Sequence, residues 1–211
     1  MRTYGQLCGA ARALDVVGDR WSLLIVRELL VRPCRYTDLR SGLPGIASNL
    51  LAERLRQLET DGVIEREAAT PPVATPVYRL TDRGRALHPV IRELGRWGAP
   101  LLDPPPQDAV FQAHWLALPL DVLLADRTDL PEAIVQIDAG GLPLILHTGP
   151  EGVTVTIGRA PDPRLTITTY EPRHILALFT GRIAPGNAAD HGVNLTGDVA
   201  VLEQLVTPGH H

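Results

Sequence analysis

Two side chains on one stretch of the chain carry chemistry suited to reading base edges. Asn49 has an amide that donates and accepts side by side, and Arg56 has a planar fork of donors. Such groups pair bidentately with adenine and guanine respectively. At about 100° per residue, Leu51, Leu55 and Leu58 form one stripe of a helix. Asn49, Ala52, Glu53 and Arg56 lie on the opposite side. An ordinary solvated helix face fits the same wheel, so the pattern alone leaves both readings open.

Residues suited to catalysis are spaced less suggestively. The histidines fall at 88, 114, 147, 174, 191, 210 and 211, and no pair has the His-x-x-x-His or His-x-His spacing of metal ligands. No Gly-x-Ser-x-Gly elbow or glycine-rich phosphate loop occurs, and all 20 basic residues are Arg, which excludes lysine Schiff-base or general-base chemistry. Cys8 and Cys34 are too few for a disulfide framework. No catalytic residue, metal or cofactor is therefore expected. His114 and His147 read as hydrogen-bonded structural histidines. Pro208-Gly-His-His at the end of the chain enters no argument.

The elements that must hold Asn49 and Arg56 are helical. Trp21, Leu24, Ile25 and Leu29 recur at helical spacing until Arg32-Pro33. A short segment from Tyr36 to Ser41 ends at Gly42. A helix from Ser48 to Asp61 stops at Gly62, a good left-handed cap. Val63 to Glu67 and Val77 to Leu80 read as two strands joined by the loop from Ala68 to Pro76. Thr81 caps a helix running from Asp82 towards Ala99. Three helices followed by a hairpin form a winged helix-turn-helix.

Pro104, Pro105 and Pro106 interrupt this order, since three prolines neither continue a helix nor pair in a central strand. The expected division is 1–102, a linker at 103–109 and a second domain at 110–211. Charge divides similarly: Met1 to Asp103 carries 15 Arg against 12 acidic residues, and Pro104 to His211 carries 5 against 12. The first part tolerates phosphate, and the second repels it. In the second part, Val110 to Ala125 reads as a helix with a kink or break at Pro119. Strands follow at Ala133 to Asp138, Leu142 to His147, Val153 to Ile157, Leu165 to Thr169 and Val193 to Thr196. Helices are expected at Pro172 to Phe179 and Asp198 to Val206. The fold class is α+β, a winged helix-turn-helix domain followed by a domain with a mainly antiparallel sheet. No apolar run reaches the roughly 18 residues of a membrane span, and no secretory leader is visible, so a cytoplasmic protein without membrane contact is expected.

Several motifs together resemble the HxlR-type winged-helix transcription regulators. They are Cys8, Ala13 to Trp21, Arg35 to Leu39, Pro44 to Glu59 and Pro76 to Gly84. The resemblance implies a homodimer on a palindromic DNA operator, with dimer contacts from the N-terminal segment and the Asp82 to Ala99 helix. Within that frame Ser48, Asn49 and Arg56 read bases, Arg54 sits on phosphate, and Arg66 or Arg79 sets the wing at the minor groove. Arg35, opening the second helix, touches backbone. Ala47 departs from the Ser common in the family, so either Ser48 takes over as cap or the helix end frays. Cys8 aligns with an oxidant-sensing cysteine of some members. Nothing in the sequence visibly lowers its pKa, apart from Arg12 one turn away.

Residues from about Ala133 to Val206 resemble the sterol carrier protein type 2-like domain. The resemblance rests on Val135 to Gly141, Gly152 to Ile157, Pro163 to Thr168, Leu176 to Arg182 and Gly192 to Asp198. It implies a cup for a hydrophobic small molecule or lipid-like ligand, walled by Phe111, Trp115, Leu116, Leu120 and Leu124, with His147 as a candidate polar contact. The alternatives are a carrier or an enzyme in which the winged helix only dimerises, or a second domain that only braces a dimer.

Overall fold

The computed structural model describes residues 3–67, 75–102, 110–150 and 152–206. It comprises two compact units, Met1–Ile91 and Arg92–His211. The proposed linker at 103–109 and most of the loop between the wing strands lie outside the described residues. Among the described residues no helix is long and apolar enough to cross a membrane.

In the first unit α1 (Gly9–Val17), α2 (Ser22–Val31), α3 (Tyr36–Gly42) and α4 (Ser48–Thr60) precede the wing strands β2 (Ile64–Glu67) and β3 (Val77–Leu80). Ile25, Val26, Leu39, Leu51, Leu55, Leu58 and Ile64 are buried between them, which is where their helical or strand spacing directs them. The end of α4 is a Schellman motif, as Gly62 suggests: the Gly62 amide donates to Glu59 O at 3.1 Å and the Val63 amide to Leu58 O at 2.9 Å. Gly62 has the required positive φ of 69°.

Two features of the chain as far as Gly98 depart from the sequence reading. A third strand, β1 (Cys34–Arg35), pairs antiparallel with β3, giving the order β1-β3-β2. A two-residue strand has no periodicity to detect. The expected helix from Asp82 is also broken, into α5 (Asp82–Arg85) and α6 (His88–Gly98). Thr81 caps α5, its hydroxyl accepting from the Gly84 amide at 3.1 Å and donating to Gly62 O at 2.6 Å. Pro89 has no amide to continue the ladder of α5, and a proline is tolerated only within a helix's first turn, where it sits in α6.

In the second unit a 3-10 turn at Ala113–Leu116 leads into α7 (Ala117–Leu124). Pro119 lies in the first turn of α7, where an amide donor has no intrahelical acceptor and its lack costs nothing, so the change of geometry falls ahead of it rather than at it. Strands β4 (Ala133–Asp138), β5 (Leu144–Gly149), β6 (Gly152–Ile157), β7 (Leu165–Thr169) and β8 (Val193–Gly197) form one sheet in the order β6-β5-β4-β7-β8. Every pairing is antiparallel except β4 with β7. Leu144, Leu146, Val135, Ile137, Leu165 and Ile167 face α7, α8 (Arg173–Phe179) and α9 (Val199–Leu205), and all six are essentially inaccessible.

The segment crossing from β6 to β7 is tied down by a buried amide. Gln136 Oε1 accepts from the Ala160 amide at 2.9 Å, and Gln136 Nε2 donates to Leu144 O at 3.2 Å. A buried side-chain amide satisfied on both ends holds a loop at little cost.

Candidate nucleic-acid interface

The stripe Leu51, Leu55 and Leu58 anchors α4, leaving Ser48, Asn49, Glu53 and Arg56 exposed and Ala52 half-buried among them. Burying three leucines on one side fixes the rotation of the helix, so the polar side has one orientation relative to the unit. α3 is joined to the start of α4 by the Tyr36 hydroxyl, which donates to Ser48 O at 2.8 Å. α3 packs on α2 beside Glu28, a buried carboxylate that accepts from Arg27 Nη2 at 2.6 Å. A methyl at Gly42 would strike that carboxylate, so the pair needs the bare backbone there.

Ala47 occupies the N-cap of α4 and supplies no side-chain hydrogen bond. Ser48 is already the first helical residue, so it does not take over as cap. Loss of a capping side chain costs about 1 kcal/mol.

The arginines differ sharply in availability. Arg56 is exposed, its Nε donating to Ala52 O on its own helix at 3.2 Å. Arg35 is exposed at the N-cap of α3, its amide donating to the Asp38 carboxylate at 2.9 Å. Arg66 is exposed on β2 and forms no ion pair among the described residues. Arg54 is not open: Nη1 lies 2.5 Å from Asp19 Oδ2, and the side chain is only 17% exposed. Arg79 is ion-paired yet exposed, its Nε 3.0 Å from Glu65 and 3.4 Å from Glu67. Register explains the contrast. Glu65 stands opposite Arg79, whereas Arg66 stands opposite Tyr78 on the other face of the wing.

Sequence reading missed Asp19 as the partner of Arg54, because the two lie far apart in the chain and no periodicity relates them. It also passed over Arg20, whose guanidinium sits 5.5 Å from the Trp21 ring centroid.

The two cysteines have opposite environments. Cys8 is exposed at the N-cap of α1, where the amides of Ala11 and then Ala10 lower its pKa. Arg12, the cation suggested by spacing, instead bridges to Asp15 at 3.2 Å. Asp15 also accepts from the Tyr4 amide at 2.8 Å, the main cause of its own lowered pKa, and so pins residues ahead of α1. Cys34 is buried in β1, and desolvation pushes its thiol up to about 12.

These features, a buried leucine stripe under an exposed Asn/Arg face, a preceding short helix and a wing, are those of a helix-turn-helix protein. Residues 16–105 match the HxlR-like helix-turn-helix family. The chain is 36% identical over 93 residues to YvaP of Bacillus subtilis (strain 168), an HTH-type transcriptional regulator, covering 44% of this chain and 86% of that protein. The chain belongs to the HxlR-like family. It is a transcriptional regulator of the helix-turn-helix type. A second relative, the HTH-type transcriptional regulator YodB of the same bacterium, is 33% identical over 92 residues, covering 44% of this chain and 82% of that protein. The crystal structure of reduced YodB covers 48% of this chain and 100% of that chain at 30% identity, with a TM-score of 0.41.

In the second unit the residues expected to wall a ligand cup do not form one set. Leu116, Leu120 and Leu124 are fully buried in the core between α7 and the sheet. Trp115 is half-buried, with the exposed Phe111 ring edge-on at 6.3 Å. His147 does not belong with them. It is exposed on the face of β5 opposite Leu144, Leu146 and Thr148, because alternate residues of a strand point to opposite sides.

Proposed function

We propose that this HxlR-like regulator binds a palindromic DNA operator as a homodimer. Ser48, Asn49 and Arg56 of α4 read base edges, and Arg35 and Arg66 contact the sugar-phosphate backbone. The observation carrying this reading is the exposed polar face of α4 above a leucine stripe that is 2% exposed or less. Arg54, largely covered and held by Asp19, orients the helix, and Arg79, exposed but paired with Glu65 and Glu67, offers less net charge than Arg66. Dimer contacts are assigned to the N-terminal segment and to α6. Both carry apolar side chains in water, Leu7 and Leu14 in the one, Leu94 and Trp97 in the other. Genomic pull-down of the full chain is expected to recover a small set of sites with twofold symmetry, and half-sites about one helical turn or a multiple apart. Recovery of unenriched DNA only would overturn the reading.

The second domain, beyond a junction at 103–109, is assigned to sensing a hydrophobic small molecule, in keeping with its resemblance to sterol carrier domains. Its support is a five-stranded sheet with helices on one apolar face, in a region whose acidic excess disfavours DNA. A ligand binding only the folded state stabilises it by RT ln(1 + [L]/Kd). A thermal-shift series with fatty acids and aromatic compounds should therefore raise the melting temperature for one class, and a flat series would leave the domain a brace. Cys8 supports a second mode of control, since it is exposed and its pKa is lowered. Diamide should weaken operator binding by the wild type and leave Cys8→Ser unaffected; equal responses would remove it.

A further inference from the structure

The sheet of the second unit ends at β6, and the chemistry of that edge is unusual. Strands at sheet edges are normally blunted by charge, proline or a bulge. Gly152–Ile157 reads Gly-Val-Thr-Val-Thr-Ile, without a charged residue or proline, and each residue pairs in turn with β5 from Leu144 to Gly149. The Gly158 amide donates to Pro143 O at 3.0 Å, one step beyond the pair Ile157 and Leu144. In an antiparallel ladder bonded and non-bonded pairs alternate. Thr156, Thr154 and Gly152 therefore spend their main-chain groups on β5, and the N–H and C=O groups of Val153, Val155 and Ile157 point out of the sheet.

Those three residues are also incompletely buried. Their side chains share the apolar face with Leu144 and Leu146, which are 0% exposed, yet Val153, Val155 and Ile157 are only partly buried. α7 packs on β6, and among the described residues no further strand continues the sheet. The opposite edge, β8, likewise has an element packed on it, the 3-10 segment Pro185–His191.

We propose that the free edge of β6 pairs antiparallel with β6 of a second copy of this chain, about a twofold axis through Val155. The alternation around Val155 is what selects a second copy. Val153 comes opposite the partner's Ile157, and Thr154 comes opposite the partner's Thr156. Apolar side chains then meet apolar ones, hydroxyls meet hydroxyls, and the outward main-chain groups of Val153, Val155 and Ile157 all find partners. A shift by one residue sets Val against Thr and loses this match. The pairing does not depend on DNA binding and joins the C-terminal sheets of two protomers.

The test is disulfide trapping in the full chain, with Cys8→Ser to silence the exposed thiol. Thr154 and the partner's Thr156 form a non-bonded pair in this register, with Cα atoms about 4.5 Å apart, within the range a disulfide spans. Thr154→Cys with Thr156→Cys in one chain is expected to give a covalent dimer on mild oxidation, with the 154–156 peptide found by mass spectrometry. Each single variant should cross-link far less. Absence of the cross-link in the double variant, or equal cross-linking of the single variants, overturns the pairing. A charge pair gives a second readout in a chain that carries Cys8→Ser and Val155→Cys, position 155 facing its own copy across the twofold with Cα atoms about 5.5 Å apart. There Thr154→Lys with Thr156→Lys should lower the yield of covalent dimer, and Thr154→Lys with Thr156→Glu should restore it; identical yields also overturn the proposal. Operator binding is measured on the same samples, so that loss of the edge contact with DNA binding intact removes this inference alone.

Discussion

Helix α4 and the wing both carry arginine, yet they present it differently. On α4 Arg56 is exposed and hydrogen-bonds to its own helix, while Arg54 is held by Asp19. On the wing, Arg79 lies between Glu65 and Glu67, and Arg66, on the other face, forms no ion pair among the described residues. An arginine count therefore overstates the charge available to phosphate, and strand register or helix rotation decides which guanidiniums remain. The first unit should bind DNA with fewer backbone contacts than its composition implies.

The largest effect tests the platform beneath that contrast. Leu55→Ala, at a site 2% exposed, should destabilise the first unit by about 2–5 kcal/mol in denaturant unfolding. Next comes the open cation itself: Arg56→Ala should cost roughly 1–3 kcal/mol of operator affinity in a mobility-shift titration, concentrated at one base position. Unchanged affinity would take Arg56 out of the interface.

Beneath the wing, Cys34 offers a pH test of about 1.4 kcal/mol per unit. Its thiol titrates near 9.0 when solvated and at about 12 when folded, so the folded state keeps the proton longer. Stability is then intact below pH 9 and falls as pH rises between 9 and 12. Cys34→Ala should remove that alkaline slope in urea melts, and an undiminished slope would point to another group. The smallest effect separates the wing arginines. Arg66→Ala should reduce the salt slope of DNA binding by about one, Arg79→Ala should barely change it, and Glu65→Gln with Glu67→Gln should steepen it by freeing Arg79.

Much of the second unit was legible because strands alternate and turns are marked. Ala133–Asp138 and Leu165–Thr169 are strands at the expected residues. β5 starts at Leu144 rather than Leu142 because Pro143 has no amide for the ladder. β1 was not legible, since two residues pair only because β3 is brought beside them. For the candidate interface, the wheel identified which side of α4 faces outward, but the pairing of Arg54 with Asp19 could not be read from it.

What the amino-acid order determined by itself is what depends on near neighbours: the leucine stripe of α4, its Gly62 stop, the Thr81 cap and the alternation of the strands. Each follows from local sterics and from the period of a helix or strand. Tertiary structure alone decided which charges remain unspent. Coulomb attraction between Arg54 and Asp19, or between Arg79 and its two glutamates, depends on distance in space, and that distance exists only once packing has brought the elements together.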